Sequence, residues 1–211
     1  MNSAVALTVR RLCAYRRAAP PLRDCWRQLP SVWQATGRHG RYLAVDIETT
    51  ALSPADGEIV SVGWVAIDGG DIELASAAHY LLGAEGPVGD SAVFHQLRDC
   101  DREAGDSAER VLARLLAAAA GRVLIFHCAE LDLAFLNALC RRHLGAPLLL
   151  PFIDTLQLEY RRRQRRQQPI LRGALGLAAC REHYRLPNYP AHNALSDALA
   201  TAELFLAISA H

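Results

Sequence analysis

Three stretches rich in apolar and β-branched residues, each bounded by turn residues, follow one another after residue 41. They span residues 42–50, 59–67 and 72–82. The second and third are separated by an Asp-Gly-Gly turn, a spacing that predicts a β-hairpin. We therefore expect three consecutive strands that form an antiparallel meander.

Helical and strand patterns alternate through the rest of the chain. Residues 107–120 place apolar side chains at helical spacing after a candidate cap, Ser107, and Gly121 ends the pattern. Residues 123–126 are wholly apolar, as is typical of a strand buried on both faces. Further helices are predicted at 131–142, 154–166, 171–183 and 194–209, and a last strand at 152–153. This order predicts an α/β fold, a mixed five-stranded sheet flanked by helices.

The composition is that of one ordinary globular domain, since 51% of the 211 residues are apolar and 21% are charged. No apolar run approaches the roughly 18 residues that a membrane-spanning helix needs, and the N-terminus lacks the apolar core of a secretory signal. We therefore expect a soluble, cytoplasmic protein with no membrane partner. The six cysteines are scattered without a Cys-x-x-Cys pair, which indicates neither a zinc site nor a disulfide framework.

Charge is distributed unevenly, although the net charge is +1. All 23 basic residues are arginine, and residues 1–41 hold eight of them against one acid, or +7, which leaves the remainder at −6. We divide the chain into an Arg-rich N-terminal extension, residues 1–39, and a main domain, residues 40–211. Prolines at 20, 21 and 30 predict one or two short amphipathic helices in the extension. The extension either packs on the domain with its arginines in water, or serves as a nucleic-acid arm or an organelle transit peptide.

Two acids interrupt the first predicted strand. Asp46 and Glu48 are two residues apart, so their side chains share one face, while Val45 and Ile47 point to the other. Two adjacent carboxylates repel each other unless a positive charge lies between them. The pair is therefore either the solvated face of an edge strand or part of a site for Mg²⁺ or Mn²⁺, which prefer oxygen ligands.

Two further acids and one histidine lie where helices are predicted to begin. Asp132 falls near the start of the helix that follows a buried strand, a position that favours a carboxylate with or without a metal. Asp197 comes five residues after His192, a separation that on one helix would turn the two side chains about 140° apart. If Asn193 caps the helix instead, His192 lies in the preceding loop and can approach Asp197. A histidine before a helix is otherwise an ordinary surface residue.

Taken together and in order, these residues resemble the DEDDh family of 3′-to-5′ exonucleases. The family includes the epsilon proofreading subunit of bacterial DNA polymerase III, RNase T and oligoribonuclease. The matching positions are Asp46-x-Glu48 with Thr49 and Thr50, then Asp132, then His192 followed by Asp197. The resemblance extends over residues 42–208 and includes two lesser marks, Phe94-His95 and Ile153-Asp154-Thr155. Three positions depart from the family pattern, because Ala51, Cys128 and Leu131 stand where Gly, Asn and Phe are usual.

The resemblance implies an RNase H-like fold and a hydrolytic site with two metal ions. Four acids would hold two Mg²⁺ or Mn²⁺ ions: Asp46, Glu48, Asp132 and Asp197. His192 would be the general base. Four residues would contact a single-stranded or frayed 3′ end: Thr49, Thr50, Leu52 and His95. The products would be nucleoside 5′-monophosphates, and residues 40–211 would be the exonuclease domain.

Rival functions remain open at this point. The chain would be a catalytically silent nucleic-acid-binding or polymerase-associated scaffold if it kept the fold without the chemistry. A nuclease of the same fold that cuts internally is a second rival. The complete set of acids together with His192 favours the exonuclease. The residues decide neither between DNA and RNA nor between a DNA polymerase as partner and a stand-alone repair or processing nuclease.

Overall fold

The computed structural model describes residues 4–29, 40–83, 105–190 and 192–210. Within these ranges five strands form one sheet: β1 Arg41–Thr49, β2 Ile59–Asp68, β3 Asp71–Leu81, β4 Val123–Phe126 and β5 Phe152–Asp154. The helices of the same ranges are α1 Ala4–Ala14, α2 Pro20–Arg27, α3 Ala108–Ala119, α4 Ala129–Leu144, α5 Thr155–Arg165, α6 Leu177–His183 and α7 Ala194–Ala210.

Strand β1 is the centre of the sheet, whose order is β3-β2-β1-β4-β5. The pairs β1–β2 and β2–β3 are antiparallel, whereas β1–β4 and β4–β5 are parallel. The mixed five-stranded sheet predicted from the sequence is therefore confirmed. The β2–β3 hairpin turns at Gly69 and Gly70, whose φ angles of 64° and 100° are both positive, as a two-residue hairpin turn of type I′ requires.

The two faces of β1 pack against different helices. Leu43, Val45 and Ile47 belong to the larger core, which also contains buried residues of α2, α3 and α4. Tyr42 and Ala44 belong to a smaller core with residues of α7, the element that covers this face. Because side chains alternate along a strand, Asp46 and Glu48 lie on the α7 face.

The extents of two predicted helices differ from the structure. Residues 171–183 are predicted as one helix, but α6 covers only Leu177–His183. Residues 172–175 form turns, and Gly173 has a φ of 81°, a left-handed conformation that interrupts a helix. Helix α4 begins at Ala129, two residues before the predicted start, so Asp132 lies in its first turn. Ser107 caps α3 as predicted, because its side chain accepts a hydrogen bond from Arg110 N–H.

Helices α1 and α2 contact the segment that follows α4, and α2 also packs on α3. The buried Trp26 side chain donates from Nε1 to the Leu148 carbonyl oxygen at 2.7 Å, and Arg11 Nε donates to the Leu149 carbonyl oxygen at 2.8 Å. Leu22 is fully buried in the larger core. Across the residues that the structure describes, no helix combines the length and apolarity needed to cross a membrane.

Candidate active site

Three carboxylates converge where β1 meets α7. Asp46, Glu48 and Asp197 each offer one carboxylate oxygen, and these atoms lie within 4.8 Å of one another. Asp197 is in the first turn of α7, the helix that covers the face of β1 on which the other two acids lie. The structure therefore adds a third acid to the pair that the strand pattern singled out. Three oxygen donors at this spacing suit a divalent cation.

Asp132 reaches the same region from the first turn of α4. It is 5% exposed, and its Oδ1 atom has no hydrogen-bond partner among the described residues. Burial raises the pKa of the Asp132 carboxyl to about 7, although backbone hydrogen bonds from its own residue and from Ile47 act in the opposite direction. A buried carboxylate oxygen without a partner is costly unless a cation compensates its charge. The environment of Asp132 therefore fits a metal ligand.

Asp46 experiences the repulsion of the other three acids. Burial, followed by the charges of Asp132, Asp197 and Glu48, raises the pKa of the Asp46 carboxyl well above its ordinary range. A bound divalent cation would favour the ionised carboxylate and so act against this shift. Because all the donors are carboxylate oxygens, the site suits a hard cation such as Mg²⁺ or Mn²⁺.

The loop before α7 places His192 next to Asp197. The His192 N–H donates a hydrogen bond of 3.0 Å to Asp197 Oδ2, and the φ of His192 is 69°. Asn193 Oδ1 accepts from the N–H groups of Leu195 and Ser196, each at 3.1 Å, so Asn193 caps α7. Burial raises the pKa of the Asp197 carboxyl, and backbone hydrogen bonds from His192 and Asn193 offset part of this shift. His192 is exposed, and its contact with Asp197 uses the main chain and neither imidazole nitrogen.

Gly63 determines how closely α7 approaches the acids. It pairs with Asp46 in the β1–β2 register, and a Cβ added to Gly63 would lie 2.3 Å from the Ala194 carbonyl carbon and from the Leu195 nitrogen. A side chain at this position would therefore displace the start of α7. This role was not predicted from the sequence, although a lone glycine inside a β-branched run is a signal of close backbone approach.

Asp154 fixes the start of α4, which carries Asp132. Its carboxylate accepts hydrogen bonds from the N–H groups of Cys128 and Ala129 at 3.1 and 3.2 Å, and from Leu156 N–H at 3.0 Å. One side chain thus caps α4 and α5 together. The sequence marked Asp154 only as part of a short family motif, and its bridging role depends on the parallel pairing of β4 with β5.

His127 joins the end of β4 to two other segments. Its Nε2 lies 2.9 Å from the Leu175 carbonyl oxygen, which can only accept, so Nε2 carries the proton. Burial lowers the pKa of the His127 imidazole. Its Nδ1 lies 2.8 Å from the Thr155 hydroxyl oxygen, which also lies 3.1 Å from the Phe126 carbonyl oxygen. This arrangement gives His127 a structural role beside the acidic site.

Thr49 and Thr50, two of the predicted substrate contacts, shape the turn after β1. The Thr49 hydroxyl donates to the Ala51 carbonyl oxygen at 2.7 Å, and the Thr50 hydroxyl accepts from Glu58 N–H at 2.9 Å. Leu52, a third predicted contact, is 87% exposed on the same turn. The turn therefore combines a hydrogen-bonded base with an apolar side chain that is open to a ligand.

Ala51 fits this turn because Gly57 lies opposite. A Cβ added to Gly57 would come within 2.6 Å of the Ala51 Cβ, so the absence of a side chain at residue 57 accommodates the alanine. The backbone of Ala51 has no positive φ, so an alanine causes no strain there. The fourth predicted substrate contact, His95, lies outside the described residues, as does Phe94.

The end of α5 carries a run of five arginines that differ in burial: Arg161, Arg162, Arg163, Arg165 and Arg166. Arg163 is buried and pairs with the buried Glu159, with 2.6 Å between Nε and Oε1. Arg162 donates to the Tyr184 hydroxyl. Arg165 and Arg166 are exposed. Arg162 and Arg163 therefore stabilise the fold, whereas Arg165 and Arg166 at the end of the run are exposed to solvent.

Comparison with known proteins gives matches over most of the chain. The family RNase_T, described as an exonuclease, matches residues 43–205. A DNA polymerase III PolC-type from Caldanaerobacter subterraneus subsp. tengcongensis is 29% identical over 170 residues, which are 79% of this chain and 11% of the polymerase. The chain therefore spans about one ninth of the length of that relative.

Solved structures share the fold at low sequence identity. Exonuclease I from E. coli, solved in complex with a 5cy-dT13 oligonucleotide, superposes with a TM-score of 0.68 at 12% identity, over 82% of this chain and 41% of that one. The nuclease domain of 3′hExo, a DEDDh family member bound to rAMP, superposes with a TM-score of 0.65 at 15% identity, over 79% of this chain and 90% of that one.

Proposed function

Because this chain belongs to the RNase_T exonuclease family, we propose that it is a metal-dependent 3′-to-5′ exonuclease that releases nucleoside 5′-monophosphates from DNA or RNA. The family resemblance drawn from the sequence is confirmed by this match. The observation that carries the proposal is the convergence of Asp46, Glu48 and Asp197 within 4.8 Å, with the buried, unpartnered oxygen of Asp132 nearby.

The four acids would hold two Mg²⁺ or Mn²⁺ ions. Such ions stabilise the attacking and the leaving oxygen of an in-line displacement at phosphorus. Within the chain, β1, α4 and α7 each contribute ligands, and Gly63 and Asp154 fix the approach of the two helices. Ligands supplied by three rigid elements favour a preorganised site over one that forms only with substrate.

His192 is the proposed general base. It lies at the mouth of the site, exposed and tied by its main chain to Asp197, so its imidazole is available to take a proton from the attacking water. The acids are unsuited to this task because they are the proposed metal ligands. The reaction breaks the bond between phosphorus and the 3′ oxygen of the penultimate nucleotide, and the attacking water oxygen becomes part of the released 5′-phosphate.

The proposed substrate is a single-stranded or frayed 3′ end. Thr49, Thr50 and Leu52 would lie along it, because their turn directly follows the strand that bears Asp46 and Glu48. Among them Leu52 has the exposed apolar side chain that can stack on a terminal base. His95 is proposed as a further substrate contact from the family resemblance alone.

The exonuclease domain is proposed to comprise residues 40–211, with residues 1–39 as an extension. Helices α1 and α2 contact residues 144–149, whereas Asp132 lies at the other end of α4, roughly 18 Å away at 1.5 Å per residue. These contacts of residues 4–29, the part of the extension that the structure describes, therefore lie away from the acids. The similarity to part of a DNA polymerase III supports a DNA polymerase as a partner. Comparing the lengths of the digestion products with and without such a polymerase would test this proposal.

Digestion of 5′-labelled oligonucleotides tests the proposed function. Purified protein with Mg²⁺ or Mn²⁺ should shorten single-stranded DNA or RNA in single-nucleotide steps, and excess chelator should stop the reaction. Matched 3′-labelled substrate should release its label as a mononucleotide at once. Full activity in chelator, or internal fragments without a ladder, would refute the proposal. Tight oligonucleotide binding without cleavage in either metal would instead establish the silent scaffold.

A further inference from the structure

One buried arginine holds the loop that leads to His192. Arg181 lies in α6 with only 3% of its side chain exposed. Its Nη1 donates to the Ala200 carbonyl oxygen in α7 at 2.7 Å, and its Nη2 donates to the Pro187 carbonyl oxygen in the loop at 2.6 Å. The same Nη2 pairs with Glu203 Oε2 at 2.7 Å. Arg181 therefore links α6, α7 and the loop.

Tyr189 completes this network from the loop. Its ring centroid lies 4.6 Å from the guanidinium carbon of Arg181, and its hydroxyl donates to Glu203 Oε1 at 2.8 Å. Glu203 thus accepts from Arg181 with one oxygen and from Tyr189 with the other. Hydrogen bonds that involve charged groups are shorter and stronger than neutral ones, and a planar guanidinium fixes the directions of several partners at once.

Apolar burial contributes little to the position of this loop. Residues 187–190 are all exposed, and Tyr189 is 37% exposed. The contacts of Pro187 and Tyr189 with Arg181 and Glu203 therefore fix this part of the loop on α7, before the hydrogen bond that His192 makes to Asp197. Ala200, whose carbonyl oxygen accepts from Arg181, lies three residues after Asp197 on the same side of α7. In the loop, the two residues that contact Arg181, Pro187 and Tyr189, precede His192 by five and three residues.

We propose that Arg181 is a positioning residue of the active site, which fixes the loop on α7 and thereby sets the place of His192 relative to Asp197. This inference rests on the proposed function, in which His192 is the general base. Arg181 acts through the loop backbone and Tyr189, so its removal should impair the chemical step much more than substrate binding.

Arg181→Gln and Arg163→Gln form a matched pair of variants. Both arginines are buried and paired with a glutamate, but Arg163 makes its pair with Glu159 inside α5. Both variants should unfold at lower temperature than the parent. Well below those temperatures, only R181Q should lower kcat, by about 10- to 100-fold with KM within about threefold, because small misplacements act on the reacting geometry. Equal losses of kcat in both variants would overturn the inference.

His192→Ala distinguishes failure of this inference from failure of the proposed function. If Arg181 acts through His192, adding R181Q to H192A should change the residual kcat by less than about twofold, since coupled residues are not additive. A further tenfold loss would overturn the positioning role and leave the proposed exonuclease intact. Near-parent kcat in H192A alone would refute the proposed base, and the positioning role with it.

Tyr189→Ala provides a test if R181Q does not fold. The residue is partly exposed, so its truncation should leave the unfolding temperature close to that of the parent. The variant removes the stacked ring and the hydrogen bond to Glu203, and kcat should fall by about three- to tenfold because the loop is less well fixed. An unchanged kcat would contradict the proposed positioning.

Discussion

The main-chain N–H of His192 donates a 3.0 Å hydrogen bond to Asp197 Oδ2, so the proposed base and a proposed metal ligand are joined through the backbone. The φ of His192 is 69°, a left-handed conformation that costs a residue other than glycine on the order of 1–3 kcal/mol. Strain of this kind persists only where the surrounding contacts enforce it. The hydrogen bond to Asp197, the cap of α7 and the anchored loop together provide that enforcement.

His192→Ala should lower the single-turnover rate by about 10²- to 10⁴-fold, which is the usual contribution of a general base. Oligonucleotide affinity, measured by fluorescence anisotropy with metal present, should stay within about threefold of the parent, because the acids and the turn after β1 are untouched. A variant with near-parent turnover between about pH 6 and 8 would show that the base lies elsewhere.

Gly63→Ala should lower both stability and activity, because its Cβ would lie 2.3 Å from the backbone of Ala194 and Leu195. We expect a loss of about 1–3 kcal/mol in the free energy of unfolding, as for other overpacked sites. Displacement of α7 moves Asp197, so the cleavage rate should fall by about 100-fold. Gly176→Ala is the control, since its Cβ would meet only an ordinary 3.5 Å contact and should leave the rate unchanged. Equal rates in the two variants would refute the role of Gly63.

The stability of the metal-free protein should depend on pH through Asp46 and Asp132. Both carboxyls have a raised pKa, that of Asp132 about 7, so the folded state binds more protons than the unfolded chain. Their contribution to stability should therefore fall as pH rises from about 4 to 7 and stay low above that range. Saturating Mg²⁺ or Mn²⁺ should remove this loss by favouring the ionised forms.

Urea unfolding of the parent and of Asp132→Asn, from pH 5 to 8, measures this effect. The difference between the two proteins isolates the acidic site, because other titrating groups such as Asp68 contribute equally to both. The hydrogen bond from Arg122 lowers the pKa of the Asp68 carboxyl, so the contribution of Asp68 is lost only below about pH 4, outside the range of this measurement. If metal-free parent and variant have parallel pH profiles, Asp132 does not carry a raised pKa.

Cys128→Asn should stabilise the protein. Cys128 has a φ of 67°, a conformation that asparagine tolerates better than cysteine, and the gain should be about 1 kcal/mol in the free energy of unfolding. Cys13→Asn is the matched control, because Cys13 is also exposed but lies in α1, where the two residues have similar helix propensities. Chemical denaturation of both variants decides the point, and a destabilised C128N would contradict it.

Short-range patterns were sufficient to predict the sheet and most of the helices. Alternation along β1, the Asp-Gly-Gly turn and the capped pattern of α3 depend on neighbouring residues, and the structure has these elements. The longer helix at residues 171–183 is wrong because Gly173 adopts a left-handed conformation, which the apolar spacing around it does not reveal.

The acids proposed as the site were chosen by residue type, order and family resemblance, whereas the residues that position them were not predicted. Gly63 acts through a strand pairing with Asp46 and a contact with α7, and Arg181 acts on two segments that follow it in the chain, the loop at Pro187 and helix α7. Such roles depend on residues that are distant in sequence. Local periodicity carries no information about them.

Cleavage by Asp46→Asn tests the central claim most directly, because the charges of the other three acids all act on Asp46. The substitution replaces one carboxylate oxygen by an amide nitrogen and removes the negative charge, with little change in shape. With Mg²⁺ or Mn²⁺, the variant should degrade a 5′-labelled oligonucleotide at least about 100-fold more slowly than the parent. Without metal it should be as stable as the parent or more so, since one repelling charge is gone. Asp71→Asn, an exposed control in β3, should cleave at the parent rate. An Asp46→Asn variant that keeps a tenth or more of the parent rate would contradict the assignment of these acids as the catalytic metal site.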